Sequence, residues 1–303
     1  MRYNFKIDFV KNRKLFFSIS IIVTLIGILS LSIFNLHLGV DFKAGTTMDV
    51  SFGKKVEKAK IDEILKEGDY KTTTTLAGNK ERVTIRFDKV LSDKEVDDLK
   101  GTFASTFKAK PSYEINTVDP EIARELARKG IIAVLVASLG IILYISIRFE
   151  WRFALAGVLS LLHDAFFVVT VFSIFQLEVN LPFIVAVLTI IGYSINDKIV
   201  IFDRIRENLR FAKLKSFDDL ADLVNNSIWQ TMTRSINTVL TVLIAAICLF
   251  AFGSESIQLF SLAMIIGLIY GTYSSVFIAS PLWIVLRNKQ LQAKKQPVQQ
   301  GQH

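Results

Sequence analysis

The chain has 303 residues, 51% of them hydrophobic with 24 Phe, and a mean hydropathy of +0.42. A water-soluble domain of this length is less apolar, so the composition points to a multi-span membrane protein. The net charge of +8 does not argue for nucleic acid, because Lys and Arg stand in short blocks beside apolar runs, as membrane orientation requires. The single cysteine, Cys248, lies inside an apolar run. It excludes a disulfide framework and a thiolate metal site, and it reads as a small buried hydrophobe.

Residues 1–14 carry Arg2, Lys6, Lys11, Arg13 and Lys14 ahead of an apolar run at 15–36. The run is too long for a signal-peptide core and no small-x-small cleavage site follows it. It reads as an uncleaved first span that starts inside the cell, with Ser20, Thr24, Gly27 and Leu31 on one packing face. Residues 37–128 have the composition of a domain outside the membrane. Strand-like alternation at 46–52, helical spacing at 58–67, two Thr- and Val-rich runs at 70–76 and 82–87 and a strand at 113–118 give most of its elements. Ala77-Gly78-Asn79-Lys80 reads as a hairpin turn, and Ser92 with Glu95 caps a helix carrying Val96, Leu99, Phe103 and Phe107. The order βαββαβ predicts a small ferredoxin-like extracytoplasmic α+β sandwich. Between 41 and 128 there is neither His nor Cys, and no catalytic constellation.

Pro120 opens an amphipathic helix at 121–129 that leads back to the membrane. Further spans are expected at 129–147, 153–174, 182–202, 235–252 and 259–286. The connections at 148–152 and 203–234 and the tail at 287–303 are cationic, whereas 175–181 and 253–255 hold no Lys or Arg. Six spans with both termini inside follow from the positive-inside rule, and Trp151, Trp229 and Trp283 fall at the inner interface. Within 203–234, Ser216 and Asp219 resemble a capping box. Phe217, Leu220, Leu223, Val224 and Ile228 form an apolar stripe, expected to lie on the inner membrane face or to dock a partner.

The stretch from Ile190 to Asp203 places Tyr193, Ser194, Asn196 and Asp197 inside a span. An ionised carboxylate in hydrocarbon costs several kcal/mol, so such residues face a partner or a water-filled path. Asp197, Ile201 and Arg204 share a helix face, while Asp203 points elsewhere, to the headgroups. In the next span Arg234, Asn237 or Thr238, and Thr241 form a polar stripe. A cation at the start of that span can reach a carboxylate two turns deep in its antiparallel neighbour. Burial favours the neutral carboxyl and a nearby arginine the charged one, so Asp197 could load and discharge a proton. A static Asp–Arg pair that fixes helix packing is the alternative. Asp164, beside His163 in mid-span, is expected on the same seam. His163 is either a relay or a packed histidine. Gly267 and Gly271, followed by Ser274 and Ser275, mark close helix packing.

At these residues the sequence resembles the SecF family, the smaller half of the bacterial SecD–SecF protein-export machinery in the resistance-nodulation-division superfamily. Gly39-Val40-Asp41-Phe42, the run Gly192 to Asp197 with Asp203 to Asn208, and Arg234-Ser235-Ile236-Asn237-Thr238 carry the resemblance. It implies pairing with SecD in a twelve-helix assembly beside the Sec channel of the plasma membrane, acting on exported unfolded polypeptides with the proton gradient and no bound cofactor. It also implies that Asp197 is the proton-responsive carboxylate and Arg234 the essential arginine, with Asp164, Asn196, Asn237 and Thr238 as a supporting seam. Two positions depart from the family pattern: Ala44 replaces a glycine, and Lys198 stands where Thr or Ser is usual. Lys198 is expected either to point away from Asp197 and snorkel inward or to face it.

A half-size superfamily transporter of lipids or small hydrophobic molecules and a membrane scaffold are competing readings. An enzyme is disfavoured, since the paired aspartates of an intramembrane protease and a nucleotide-binding glycine loop are both absent.

Overall fold

The computed structural model describes residues 8–77, 81–108, 110–214 and 216–295. The turn expected at 78–80, the cations Arg2 and Lys6 and the end of the tail lie outside them. Helix α1 (Arg13–Phe34) buries its small residues Ser20, Gly27 and Ser30 and leaves Ile22, Leu25 and Leu29 outward. Gly27 lies against Phe166 and Thr170, where a Cβ would collide. Strand β1 (His37–Leu38) and the one-turn helix α2 (Val40–Lys43) lead out of this span. Ala44 closes the turn at φ 71° and ψ 155°, a conformation that is essentially reserved for glycine.

The domain that follows consists of β2 (Gly45–Ser51), α3 (Lys58–Glu67), β3 (Thr72–Ala77), β4 (Arg82–Phe87), α4 (Asp93–Phe107) and β5 (Ser112–Val118). Every strand pairing is antiparallel and the sheet order is β3-β4-β2-β5. The period of two sends Met48, Val50, Val83, Ile85 and Phe87 to one face, where they pack on Ile61, Leu65, Leu99 and Phe103 of the helices. Ser92 and Glu95 form a reciprocal capping box at the start of α4. The opposite face is polar. Its Asp49, Arg82, Thr84 and Glu114 line a cavity of about 430 Å³ together with Phe252 and Gly253, and Arg82 donates to the Gly253 carbonyl at 3.1 Å.

The membrane part continues with α5 (Pro120–Arg148), α6 (Trp151–Ile174), β6 (Glu178–Val179), α7 (Leu181–Phe211), α8 (Phe217–Phe252) and α9 (Glu255–Ser274). A π-helical turn, Ser275–Ala279, then joins α9 to α10 (Ser280–Lys295). Among the described residues six segments are long and apolar enough to cross a membrane, so the chain is a multi-pass helical membrane protein. Besides the Arg82 contact, three further ties hold the domain over the helix ends. Arg86 is ion-paired with Glu178, β1 pairs in parallel with β6, and Asp41 accepts from Leu181 N at 2.8 Å and from Asn116 Nδ2 at 3.3 Å. At the other end of the bundle Asp203 pairs with Arg148 at 3.2 Å and Arg206 at 2.8 Å, and Arg287 reaches Glu150 at 3.3 Å.

Four expectations are corrected. The loop at 203–234 with a separate amphipathic helix does not exist as such: α7 runs to Phe211 and α8 is unbroken from Phe217. No Gly or Pro stands between 217 and 252, so nothing terminates the helix. Its stripe of Leu220, Val224 and Ile228 is buried in the bundle. Asn225 also fixes the chain start there, accepting from Phe9 N at 3.1 Å and donating to Asp8 at 2.8 Å. Trp283 is not an interfacial ring, because it is fully buried and stacked on Phe153 at 4.5 Å. Cys248 is exposed rather than buried, since it lies on the outward face of α8. The first span's small-residue face is extended by Ser30, whose hydroxyl meets that of Ser173 at 2.9 Å, while Thr24 and Leu31 are half-buried.

Candidate functional site

A polar seam crosses the middle of the bundle where α6, α7, α8 and α9 meet. Asp197 of α7 is buried. Its Oδ1 accepts from the Ser235 hydroxyl of α8, Ser275 lies close to the same carboxyl, and its Oδ2 has no partner in hydrogen-bond geometry among the described residues. A carboxylate with one oxygen held and one open is poised to bind a proton or a water without breaking its anchoring contact.

One residue further along α7, Lys198 turns to the other side. Its Nζ shares its three N–H groups among four oxygens, Asp164 Oδ2 at 2.7 Å, Ser194 Oγ at 2.5 Å, Ser274 Oγ at 3.1 Å and, most distantly, Ser275 Oγ at 3.4 Å. Lys198 and Asp164 are both 0% exposed. Lys198 therefore neither snorkels inward nor pairs with Asp197, because the 100° step between adjacent helical residues aims it at α6 and α9 instead. Close packing makes this possible. Gly267 sits against Ile190, where a Cβ would collide, and Gly271 lies close enough to Ser194 that a Cβ there would be tightly packed. With the helices that near, the π-helical turn brings the tandem serines within reach of Lys198. Single-turn π segments of this kind accumulate at functional positions.

The seam differs from the expected one. Arg234 and Asn237 of α8 and Asn196 of α7 are exposed and Thr238 is half-buried. Arg234 makes no hydrogen bond or ion pair among the described residues, and its charge acts on Asp197 only from a distance, whereas Ser235, its neighbour in sequence, is the group that touches Asp197. Arg204 pairs with Glu207 at 2.8 Å and takes no part either. His163 is a packed histidine. Its Nε2 donates to the Ser20 carbonyl at 3.3 Å and its Nδ1 lies 3.2 Å from the Tyr270 hydroxyl. A carbonyl only accepts, so Nε2 carries the proton and Nδ1 accepts from Tyr270. Two members of the seam, Ser194 and Ser235, stand in the runs that carry the resemblance, but their only physical signal is a hydroxyl inside a span. The i, i+4 spacing of Ser194 and Lys198 was the available clue. No group of His, Cys, Asp and Glu among the described residues is arranged to hold a metal ion.

Residues 98–289 match the family model described as protein export membrane protein SecD/SecF, C-terminal. The protein translocase subunit SecF of Alicyclobacillus acidocaldarius is 43% identical over 293 residues, covering 94% of each chain. SecDF of Bacillus subtilis is 45% identical over 288 residues, which cover 94% of this chain and 39% of that protein. The crystal structure of SecDF from Thermus thermophilus, a translocon-associated membrane protein, superposes with a TM-score of 0.82 at 32% identity, over 95% of this chain and 39% of that one. The chain thus spans about two-fifths of the length of the SecDF chains it matches.

Proposed function

The chain belongs to the SecD/SecF family of protein export membrane proteins, and we propose that it is the SecF half of a proton-driven export machine. In this reading the domain is a ferredoxin-like sandwich on the outer side of a bacterial plasma membrane and both termini are inside. The one-sided clustering of Arg148, Arg152, Arg204, Arg206, Arg210 and Arg287 supports that orientation. A SecD-like partner covers the outward polar groups of the spans. Arg234, Thr241 and Cys248 lie seven residues apart on one exposed line of α8, and a guanidinium facing lipid is costly enough to require such a cover. Relatives that carry both halves in one chain support the same pairing.

The observation that carries the proposal is Asp197, buried mid-span with one oxygen anchored across to α8 and the other open. Protonation from one side and release to the other changes the charge between α7 and α8. Each proton crossing 100 mV releases about 2.3 kcal/mol, enough to bias two packings of those helices. The chain is a transport subunit rather than an enzyme, and its energy source is the ion gradient. Arg234 supplies the opposing charge when the partner closes the seam, with Asn196, Asn237 and Thr238 on the covered surface.

The test is protein export into inverted membrane vesicles holding the chain with its SecD partner, after ATP-driven initiation. Gradient-dependent completion by the wild type and its loss in Asp197→Asn, with assembly intact, is the expected result. Equal completion by both proteins would reduce Asp197 to a packing contact and the chain to a scaffold.

A further inference from the structure

The surroundings of Lys198 are those of a cation site rather than of a simple ion pair. Four oxygens from three helical segments converge on one point: Asp164 Oδ2, Ser194 Oγ, Ser274 Oγ and Ser275 Oγ. The hydroxyl hydrogens are all directed elsewhere. Ser194 donates to Asp164 Oδ2 at 2.5 Å, and Ser274 and Ser275 donate to the Gly271 carbonyl at 3.1 and 2.8 Å. Each hydroxyl therefore presents lone pairs to the centre. The second carboxylate oxygen, Asp164 Oδ1, is buried without a hydrogen-bond partner among the described residues, so Oδ2 alone faces the ammonium. A carboxylate with neutral oxygens in a buried cage is the donor set that hard metal cations take.

We propose that the Lys198 ammonium is the resident, covalently tethered cation of an oxygen-lined site built by Asp164, Ser194, Ser274 and Ser275, and that it closes this site to sodium. The charged groups around it are accounted for. Asp164 of α6 is its counter-charge, and Asp197 on its own helix is held by Ser235 of α8, with Ser275 and the Lys198 charge also acting on it. His163 beside Asp164 is engaged by Ser20 and Tyr270. Within the export reading, closing the site leaves Asp197 as the one seam carboxylate with an open oxygen and no cation bound to it. That consequence rests on the export reading, but the occupancy of the site does not, and the experiment reads occupancy alone.

The full-length chain, purified in nanodiscs, is unfolded thermally in sodium chloride and in choline chloride, with sodium-22 binding measured alongside. The wild type is expected to show the same midpoint in both salts and no bound sodium. Lys198→Ala is expected to bind sodium and to gain a midpoint that rises with sodium concentration and saturates. The double variant Asp164→Asn/Lys198→Ala is expected to lose both responses. A folded Lys198→Ala that is indifferent to sodium overturns the proposal, as does a sodium response that survives Asp164→Asn. Failure of Lys198→Ala to fold at any sodium concentration, while the neutral pair Asp164→Asn/Lys198→Met folds, overturns it too. A measurement on the wild type needs no variant: nitrogen-15 spectra of the solvent-protected lysine side chain are expected to show a protonated ammonium, and a neutral amine there refutes the assignment.

Discussion

Removing one half of the Asp164–Lys198 pair while leaving the other is the most severe conservative change the seam offers. Both side chains are fully buried and their charged atoms are 2.7 Å apart. Breaking a buried pair by deleting one partner costs about 3–5 kcal/mol, whereas replacing both members with neutral groups of similar volume is close to neutral. Asp164→Asn leaves an ammonium that still has three hydroxyls to donate to, so its cost belongs at the lower end, about 3 kcal/mol. Lys198→Met leaves a carboxylate whose one remaining donor is Ser194, so its cost belongs at the upper end, about 5 kcal/mol. The double variant is expected within ~1 kcal/mol of the wild type, giving a coupling energy of several kcal/mol. Unfolding by a denaturing detergent in sodium-free buffer, followed through the fluorescence of Trp283 stacked on Phe153, measures the cycle. Additive single effects would show that the two charges do not depend on each other, and the account of the seam would fail.

Ala44→Gly is expected to stabilise the chain by about 1 kcal/mol, because Ala44 holds a φ of 71° in a region that costs other residues about 1–3 kcal/mol. A fall in the thermal midpoint would contradict it. Gly267→Val drives a side chain into Ile190 and should cost about 1–3 kcal/mol by overpacking α9 against α7; an unchanged midpoint would mean that the two helices are not this close. Glu95 is held down to about 2, from an ordinary 4.5, first by the Lys89 hydrogen bond and then by the Ser92 amide and hydroxyl. A depressed carboxylate stabilises fully above its unfolded value and loses that contribution as pH falls through the folded one. The midpoint difference between wild type and Glu95→Gln should therefore shrink as pH drops from about 4.5 toward 2, and a pH-independent difference would refute the assignment.

The spans were legible because about 20 apolar residues in a row admit few other structures, and the strands because Val83, Ile85 and Phe87 alternate with polar neighbours. Asp197 stood out by cost alone. The partner of Lys198 did not, because Asp164 is 34 residues away in the chain and local geometry says only where a side chain leaves its helix. The stripe at Leu220, Val224 and Ile228 was misplaced for a related reason. A lipid surface and a groove between helices are both apolar, so an amphipathic pattern fits either. The two-residue pairing of β1 with β6 is too short to leave any periodic signal. Arg234 was paired with Asp197 on reach; the backbone of α8 turns Ser235 inward to make the contact, and the exposed guanidinium acts on the carboxyl from a distance.

The unbroken α8 has a mechanical consequence. At 1.5 Å per residue its 36 residues make a rod of about 54 Å, and Ser235, the residue that touches Asp197, stands almost at its midpoint. One end is seated in the bundle through Leu220 and Val224, and the other adjoins Gly253, whose carbonyl the domain's Arg82 grips. When those end contacts give and the central one holds, such a rod pivots as a see-saw. For each degree of tilt about Ser235 the two ends travel ~0.5 Å in opposite directions over arms of about 27 Å. A contact of atomic size at the fulcrum is in this way geared to displacements on both faces of the membrane at once, with no chain of intermediate side chains to carry it.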